Sequence, residues 1–483
     1  MHPILDFGPH DCPAAPGSVR LHALDLRPAP SGNMPRFHIR TYGCQMNAHD
    51  SEKVANLLHH AGYRHAQREL DADLLVINTC SIRDKAEQRL YSDLGALRAW
   101  KDERPGRLIG VAGCVAQQEG DAILRRFRQV DFVFGTHNLR LVPHMLASAR
   151  QGLRSARTQE TSSHERFDLP ARHPDFALPA QGRAYLTVME GCDLFCSFCV
   201  VPTTRGREIS RDADAILAEA KSLLAVGAKE LLLLGQTVNA YGRHDRSRGR
   251  EAGTLPFPEL LRRLDALPGL RRLRYTSPHP CFFDEGLVRV HGELESLQPH
   301  VHLPVQSGSD RVLERMRRRY TADDYRRLVD RLRAARADLV VTTDLIVGFP
   351  GESDADFAAT LALVRDVGFV DSFSFKYSPR PNTRAATFED PVDPETASAR
   401  LEELQDVQRE LTLRYHRSRV GATCEVLVEG ESRRGGQAAG RDPYHRVVNL
   451  AVTADALPAP GSLLPVRVLE ATPHSLIAEP VAL

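Results

Sequence analysis

Three cysteines lie within eight residues near the middle of the chain, at Cys192, Cys196 and Cys199. This CxxxCxxC loop directly follows an apolar run, so it should leave the carboxyl end of a strand. Three thiolates at this spacing can bind three irons of a cubane 4Fe–4S cluster and leave the fourth iron without a protein ligand. Structural zinc is the alternative, but such a site is normally closed by a fourth Cys or His at short spacing, and none stands nearby. We therefore expect a cluster whose open iron can chelate a small molecule.

Three further cysteines, Cys44, Cys80 and Cys114, are far apart in the sequence but share one context. Each follows an apolar strand pattern and precedes a helical one; the strands are Phe37 to Thr41, Leu74 to Asn78 and Leu108 to Ala112. Loops that leave the carboxyl ends of neighbouring strands converge on one crevice in a doubly wound sheet, so the three thiols can meet. The alternative is that they are ordinary buried cysteines, which behave as small apolar residues. The remaining cysteines lack this placement and are predicted to be non-ligands: Cys12, Cys281 and Cys424.

The elements that position these cysteines give an α/β chain with three folded parts. Strands alternate with helices from Arg36 onward, which predicts an N-terminal doubly wound α/β domain. The alternation restarts after a polar linker and continues for six βα units, which predicts a partial (β/α)6 barrel with its reactive mouth at the carboxyl strand ends. A tail of short strands predicts a small antiparallel β-barrel. The expected boundaries are 1–34 for a flexible extension, 35–150, 151–177 for the linker, 178–410 and 411–483.

Composition supports folded domains and a metal-binding role for cysteine. The chain has 483 residues, 42% of them hydrophobic, and 63 basic against 62 acidic side chains, so any contact with nucleic acid must be local. No apolar stretch is long enough to span a membrane and no secretory signal is present, so we expect a cytoplasmic protein. Nine cysteines are an odd number in a chain without an export signal, which argues against a disulfide framework.

The CxxxCxxC loop on a six-unit βα barrel resembles the radical S-adenosylmethionine superfamily. Together with the scattered cysteines, the chain closely resembles the methylthiotransferases of that superfamily over roughly Arg36 to Val481. The supporting stretches are Thr41 to Asn47, Val200 to Gly206, His302 to Ser309 and Val347 to Glu352. The resemblance implies two 4Fe–4S clusters, with Cys192, Cys196 and Cys199 binding the one that cleaves S-adenosylmethionine. It also implies that Cys44, Cys80 and Cys114 bind an auxiliary cluster that carries or donates sulfur.

Other polar residues follow the barrel strands, where loops build an active site. The candidates for contact with S-adenosylmethionine are Gln236, Asn239, Ser277, His279, Gln306 and Ser307, although residues of these types also form ordinary loops. The candidates for contact with RNA are Arg205, Arg318, Arg441 and Arg446, for which a solvated charged face is the alternative. The tail resembles the TRAM domain, and it has seven arginines against four acidic residues between Arg414 and Arg446, which suits phosphate contacts. A dimerisation or capping barrel is the alternative reading of the tail.

Within the family, Gly43 to Asn47, Ser277 to Pro280 and the tail are most similar to the tRNA branch that acts on isopentenyl-type adenosine. That resemblance implies methylthiolation of carbon 2 of N(6)-dimethylallyladenosine at position 37, in the anticodon loop. A radical suits this C–H bond, since no general base could remove its proton usefully. The implied partners are tRNA, an electron donor such as flavodoxin or ferredoxin, and a sulfur donor, with the protein a monomer that binds no membrane. Three alternatives stay open: methylthiolation of threonylcarbamoyladenosine, methylthiolation of a ribosomal-protein aspartate, and a noncatalytic iron–sulfur RNA sensor.

Overall fold

The N-terminal domain is a six-stranded parallel sheet with helices on both faces. The computed structural model describes residues 34–81, 84–161, 164–176, 182–243, 254–432, 437–452 and 457–481. The sheet has the order β2-β1-β3-β4-β5-β6, with β1 Arg36–Thr41, β2 Arg64–His65, β3 Leu74–Thr79, β4 Leu108–Gly113, β5 Phe132–Phe134 and β6 Ser155–Arg157. The helices are α1 Gln45–His60, α2 Asp84–Asp102, α3 Cys114–Glu119, α4 Asp121–Arg126 and α5 Val142–Arg150. The predicted doubly wound fold is confirmed.

The central strands of this sheet show why the sequence gives that arrangement. Every residue of β3 and β4 is buried, as expected where helices cover both faces and strands read as continuous apolar runs. Two separate apolar cores result, one on each face of the sheet. Strand β6 lies inside the segment predicted as a linker and pairs in parallel with β5, so part of that segment belongs to the sheet. The extension before Met34, including Cys12, lies outside the described residues.

The middle of the chain forms six parallel strands in sequence order. Strands β7 Arg183–Thr187, β10 Glu230–Leu234 and β11 Arg272–Tyr275 form one three-stranded sheet, and β12 His300–His302, β13 Val340–Val347 and β14 Asp371–Lys376 form another. A parallel bridge from Leu273 to Leu297 continues the first sheet towards the second. The predicted partial barrel of six βα units is confirmed. A short antiparallel pair, β8 Met189–Glu190 with β9 Ile209–Ser210, holds together the two ends of the CxxxCxxC segment.

Helices cover the outer surface of the barrel strands. They are α7 Ala213–Ala225, α8 Phe257–Asp265, α9 Glu285–Glu293, α10 Asp310–Arg315, α11 Ala322–Ala335 and α12 Asp354–Val367, whereas the short helix α6 Val201–Arg205 follows the cysteine loop and packs against α3. Two of them, α11 and α12, begin with a capping box. The side chain of Thr321 or Ser353 accepts a hydrogen bond from the backbone N–H of the third helical residue, and the carboxylate of that residue accepts one from the backbone N–H of Thr321 or Ser353. The apolar core between helices and strands is continuous around the barrel.

The tail is a closed five-stranded barrel reached through the long helix α13 Pro394–Ser418. Its strands are β15 Thr423–Glu431, β16 Ala438–Arg441, β17 Val447–Leu450, β18 Leu463–Ala471 and β19 Leu476–Pro480, in the order β15-β16-β17-β19-β18. One detail differs from the expected antiparallel barrel, because β17 and β19 pair in parallel. The crossover strand β18 separates them in the chain, so β19 returns beside β17 in the same direction.

The tail barrel packs against the amino ends of the central strands and covers them. Arg272 donates to the backbone oxygens of Arg441 (2.9 Å) and Glu425 (2.5 Å), and Arg274 donates to those of Asp442 (3.1 Å) and Pro443 (2.8 Å). These arginines lie at the start of β11, so the tail closes the floor of the central barrel. The carboxyl strand ends, at the opposite side, remain as its mouth.

Candidate metal centres and active site

The structure brings Cys44, Cys80 and Cys114 together at the carboxyl edge of the N-terminal sheet. Their strands β1, β3 and β4 are direct neighbours in the sheet. Cys44 is the N-cap of α1, Cys80 follows β3, and Cys114 is the first residue of α3. The thiol of Cys80 lies within hydrogen-bonding reach of both Cys44 and Cys114. These residues therefore form one cluster of three thiols, which we call the cysteine triplet.

Two glycines permit the close approach of the strand ends in the triplet. Gly43 has φ +130°, and a Cβ there would lie 2.5 Å from the Cβ of Cys80. Gly113 has φ +95°, and a Cβ there would lie 2.3 Å from the backbone oxygen of Thr79. At either position a side chain would be strained by the positive φ and would force the neighbouring atoms to move. The two glycines are thus part of the geometry that packs the triplet.

A buried amide network fixes the helix that presents Cys44. The side-chain amide of Asn47 donates to the side-chain oxygen of Asn78 (3.0 Å) and to the backbone oxygen of Thr79 (3.1 Å). The side-chain amide of Asn78 in turn donates to the backbone oxygen of Asn47 (2.8 Å). The Sγ of Cys44 donates to Oδ1 of Asn47 at 3.3 Å. Because a satisfied buried network holds a single arrangement, these amides orient the first turn of α1 towards the neighbouring strand.

The triplet favours thiolates at its two outer positions. Hydrogen bonding with Cys80 lowers the pKa of Cys44 to about 6 and that of Cys114 to about 7, with a further contribution from the positive charge of Arg205. The same hydrogen bonds and burial raise the pKa of Cys80. Thiolate is the form that binds iron, so the pocket is already suited to deprotonated sulfur.

The second set of cysteines lies in the loop after β8, at the mouth of the barrel. A Cβ on Gly191, which has φ +82°, would lie 2.1 Å from the backbone oxygen of Arg207, so glycine is needed where the loop leaves the strand. The backbone N–H of Gly191 donates to Oε1 of Gln236 at 2.5 Å, and that of Cys192 donates to the oxygen of Gly206 at 3.1 Å. Sequence reasoning missed Thr237, whose Oγ1 hydrogen-bonds Sγ of Cys192 at 3.2 Å.

Burial raises the thiol pKa in this loop, in contrast to the triplet. The pKa of Cys192 rises to about 11 and that of Cys199 to about 12 because desolvation disfavours the thiolate. A cation contacts one of these thiols, since Nη1 of Arg318 donates to Sγ of Cys196 at 3.4 Å. Positive charge at this position suits thiolates in a buried loop.

The residues predicted to contact S-adenosylmethionine all follow the carboxyl ends of β10, β11 and β12, but their side chains make different contacts within the protein. Gln236 lies directly under the cysteine loop, as described above. Asn239 uses its amide on the backbone of His279, with bonds of 3.0 and 2.8 Å. Ser277 and Gln306 adopt positive φ, +59° and +76°, at the strand ends. Ser307 is fully buried and its hydroxyl meets that of Thr360 at 3.3 Å.

Three of the four arginines predicted to contact RNA are buried. Arg205 and Arg318 are buried, with exposed fractions of 4% and 6%, and each faces one of the cysteine sets. Arg446 is also buried and pairs with Asp371 at 2.8 Å, between the tail and the central barrel. Only Arg441 is partly exposed, beside Glu429. Long-range packing, which motif spacing does not reveal, removes the first three from the surface.

His279, Cys281 and Cys424 also have described positions. The Nδ1 atom of His279 lies 3.0 Å from Sγ of Cys281, and burial together with the charge of Arg318 holds the pKa of His279 well below its usual range. Cys424 is half-buried in the tail barrel. Neither cysteine lies in the triplet or in the CxxxCxxC loop.

In the described part of the chain, no helix is long and apolar enough to cross a membrane.

Comparison with known proteins assigns a family to each domain. Residues 36–135 match the family described as uncharacterized protein family UPF0004, residues 186–364 match the radical SAM superfamily, and residues 417–481 match the TRAM domain. Two solved structures of the radical S-adenosylmethionine methyltransferase TsrM from Kitasatospora setae have TM-scores of 0.51 and 0.53 at 14% and 16% identity. The matched region is 73% of this chain and 74% and 75% of the two TsrM chains, which supports the fold.

Curated relatives match nearly the whole chain. The tRNA-2-methylthio-N(6)-dimethylallyladenosine synthase of Geobacter metallireducens is 46% identical over 92% of this chain and 98% of its own length. That of Novosphingobium aromaticivorans is 46% identical over 93% of this chain and 98% of its own. Because more than nine tenths of the chain is matched, the similarity takes in all three domains. The chain therefore belongs to the radical S-adenosylmethionine methylthiotransferases, in the group of the tRNA-2-methylthio-N(6)-dimethylallyladenosine synthases.

Proposed function

We propose that this protein adds a methylthio group to carbon 2 of N(6)-dimethylallyladenosine at position 37 of tRNA. The observation that carries the proposal is the presence of two separate three-cysteine sets, each at the carboxyl ends of parallel strands. The names of the curated relatives supply the substrate class. A single set would suffice to cleave S-adenosylmethionine, so the second set calls for a second task, which is sulfur delivery.

The two cysteine sets fit 4Fe–4S clusters better than a single metal ion. Each thiolate of a cubane binds a different iron, whereas a zinc site needs its ligands to converge on one ion. We assign Cys192, Cys196 and Cys199 to the barrel cluster and the cysteine triplet to the auxiliary cluster.

When bound, the barrel cluster would supply an electron that cleaves S-adenosylmethionine and provides a radical able to take hydrogen from an unactivated C–H bond. The residues of this chain would position and shield the reactants. Gln236 holds the backbone of the cysteine loop, and we propose that its Nε2, which is buried and has no acceptor among the described residues, donates to S-adenosylmethionine. We assign supporting contacts to Ser277 and Gln306, whose positive φ turns the loops at the mouth. For Asn239 and Ser307, we propose that they hold these loops from below.

An exposed aromatic edge suits an unstacked RNA loop. Phe373 and Phe375 on the edge strand β14 are 53% and 45% exposed, and Phe373 packs edge-on against His302 of β12 with ring centroids 5.8 Å apart. Bases of single-stranded RNA stack on such side chains. We therefore place the anticodon loop at this edge, with the target base at the mouth and Arg441 among the contacts to the stem.

The remaining partners follow from the reaction that we propose. Reductive cleavage needs an electron donor such as flavodoxin or ferredoxin, and repeated turnover needs a sulfur donor. We also propose that the protein acts as a cytoplasmic monomer, with the segments 35–150, 178–410 and 411–483 as its functional units.

The deciding experiment is anaerobic reconstitution with iron and sulfide, followed by reaction with dithionite, S-adenosylmethionine and an anticodon stem-loop that carries N(6)-dimethylallyladenosine. We expect 5′-deoxyadenosine and the methylthio nucleoside by mass spectrometry. Cys196→Ala should abolish both products, whereas Cys80→Ala should retain 5′-deoxyadenosine and lose the methylthio nucleoside.

Parallel reactions separate this function from the alternatives. Stem-loops with threonylcarbamoyladenosine and a ribosomal protein serve as competing substrates. Preferred modification of either one would overturn the proposed substrate. A preparation that binds the stem-loop but forms no 5′-deoxyadenosine would point to a noncatalytic RNA sensor instead.

A further inference from the structure

Arg205 joins the two cysteine sets. It is the last residue of α6, which begins two residues after Cys199, yet its side chain reaches into the N-terminal domain. Its Nη2 donates to Oδ2 of Asp50 at 2.6 Å, and Asp50 lies on α1, the helix capped by Cys44. An arginine of the barrel domain is therefore fixed beside the cysteine triplet by a carboxylate of the other domain.

The segment that carries Arg205 is itself held firmly against the N-terminal domain. The hydroxyl of Thr136 donates to the backbone oxygen of Thr204 at 2.6 Å, and Arg166 donates to that of Arg205 at 3.4 Å. Helix α6 packs against α3, which begins at Cys114. The position of the guanidinium relative to the triplet is thus set by several independent contacts rather than by one side-chain rotamer.

One nitrogen of this guanidinium has no acceptor. Nη1 of Arg205 is fully buried, and no described residue accepts a hydrogen bond from it. Buried guanidinium donors are normally satisfied, so an unsatisfied one beside a cofactor site indicates a group that binds there. The charge of Arg205 acts on both Cys44 and Cys114, which places the guanidinium within electrostatic reach of the triplet.

Arg205 supplies a fixed positive charge to this pocket. Its charge acts on Asp50 and on the thiols of Cys44 and Cys114, whereas the other nearby carboxylate, Glu190, is already paired with Lys53 (3.3 Å) and Arg166 (3.6 Å). The guanidinium therefore favours negatively charged sulfur over neutral sulfur at the triplet. Since the pocket is buried, a small and weakly hydrated anion suits it better than a strongly hydrated one.

We propose that Arg205 holds an anionic sulfur species, a thiolate or persulfide, at the cysteine triplet by donating from Nη1 while Asp50 fixes Nη2. This inference rests on the proposed function, because it assumes sulfur delivery at the triplet. A forked guanidinium can make both bonds in a fixed geometry, which a single ammonium group cannot do equally well. Arg205 would thus orient the sulfur towards the barrel mouth from the side of the barrel cluster.

The test uses methanethiolate and the reconstituted holoenzyme with a saturating non-cleavable analogue of S-adenosylmethionine, which occupies the barrel site without being consumed. Binding is followed by the change in the electron paramagnetic resonance spectrum of the dithionite-reduced protein. We expect Arg205→Gln, at an iron content equal to that of the wild type, to weaken the apparent Kd for methanethiolate at least tenfold. The matched control is Arg262→Gln, which removes an exposed arginine of α8 paired with Glu293 and should bind like the wild type.

An Arg205→Gln protein that retains its iron and binds methanethiolate as tightly as the wild type would overturn the inference. If that variant does not retain its iron, Arg205→Lys decides, since it keeps the charge but loses the fork. It should bind two- to fivefold more weakly, and an unchanged Kd would again overturn the inference. Product formation on the stem-loop tests the proposed function separately, so the two ideas can fail independently.

Discussion

A buried carboxylate at the floor of the central barrel should carry a large share of the stability of the interface with the tail. Glu230 is the first residue of β10 and is fully buried, with Arg183 and Arg274 (3.1 Å) as ion-pair partners. Arg274 also donates to the tail through the backbone oxygens of Asp442 and Pro443. Glu230→Gln keeps the size of the side chain but leaves the buried guanidinium of Arg274 without a carboxylate, and that of Arg183 with Glu429 of the tail as its remaining partner at 2.9 Å.

The magnitude follows from two separate arguments. Burial opposes ionisation of Glu230, but the charges of Arg274 and Arg183 prevail and lower its pKa from 4.5 to about 2. At about 1.4 kcal/mol for each pH unit, this corresponds to roughly 3 kcal/mol of stability at neutral pH. Breaking a buried ion pair by removing one partner typically costs about 3–5 kcal/mol, which agrees. We therefore expect Glu230→Gln to lower the free energy of unfolding by about 3 kcal/mol at pH 7.

The assay is urea unfolding followed by circular dichroism, with Glu293→Gln as the control. Glu293 pairs with Arg262 at the surface, where about 0–1 kcal/mol is expected. Because the pKa of Glu230 is depressed on folding, its contribution is complete above pH 4.5 and is lost as the pH falls towards about 2. The gap between wild type and variant should close over that range. A difference below about 1 kcal/mol at pH 7 would refute the reasoning, since the two arginines would then be satisfied without the carboxylate.

Three further predictions concern the cysteine sets and the RNA edge. Gly113→Ala places a Cβ 2.3 Å from the oxygen of Thr79 at φ +95°, so it should cost about half of the bound iron, by iron quantitation, while S-adenosylmethionine cleavage persists. Gly95→Ala, which meets nothing within 4 Å, is its control, and equal iron in both variants would contradict the assigned role of the triplet. Cys281→Ser should retain all iron, because this thiol contacts His279 and lies in neither cysteine set; iron loss would show a missed ligand. Replacing both Phe373 and Phe375 by Ala should remove about 1–3 kcal/mol per stacked base from stem-loop binding, measured by fluorescence anisotropy, whereas an unchanged Kd would move the RNA to another surface.

The strand-end cysteines show what sequence alone can predict. Cys44, Cys80 and Cys114 could be grouped because each follows a strand in a parallel sheet, and the topology of such sheets brings those ends to one edge. The CxxxCxxC loop was recognisable from local spacing. The first inference depends on the general topology of parallel sheets and the second on spacing within one loop, so neither requires knowledge of contacts between domains.

Contacts between domains obey no such rule. Arg205 follows the cysteine loop and could be read as a phosphate contact, but its partner Asp50 is 155 residues away in another domain. Likewise, Glu230, Arg272 and Arg274 interrupt apolar strand patterns, and only the docked tail explains why charged side chains occur there. Strand β6 lies in a polar, proline-bearing segment that reads as a linker, and only its pairing with β5 identifies it as a strand. In each case the deciding partner is distant in the chain.

The position of the tail constrains how RNA can be held. The tail covers the amino ends of the central strands, whereas the cysteine loop lies at their carboxyl ends. A strand of five residues such as β7 spans roughly 16 Å, at about 3.3 Å per residue, so tail and mouth are at least that far apart. A single nucleotide cannot contact both, and the RNA must run along the barrel between them. Removing the tail would also expose buried Arg272 and Arg274, so its deletion tests barrel stability together with RNA binding, and point variants at the aromatic edge are the cleaner probe.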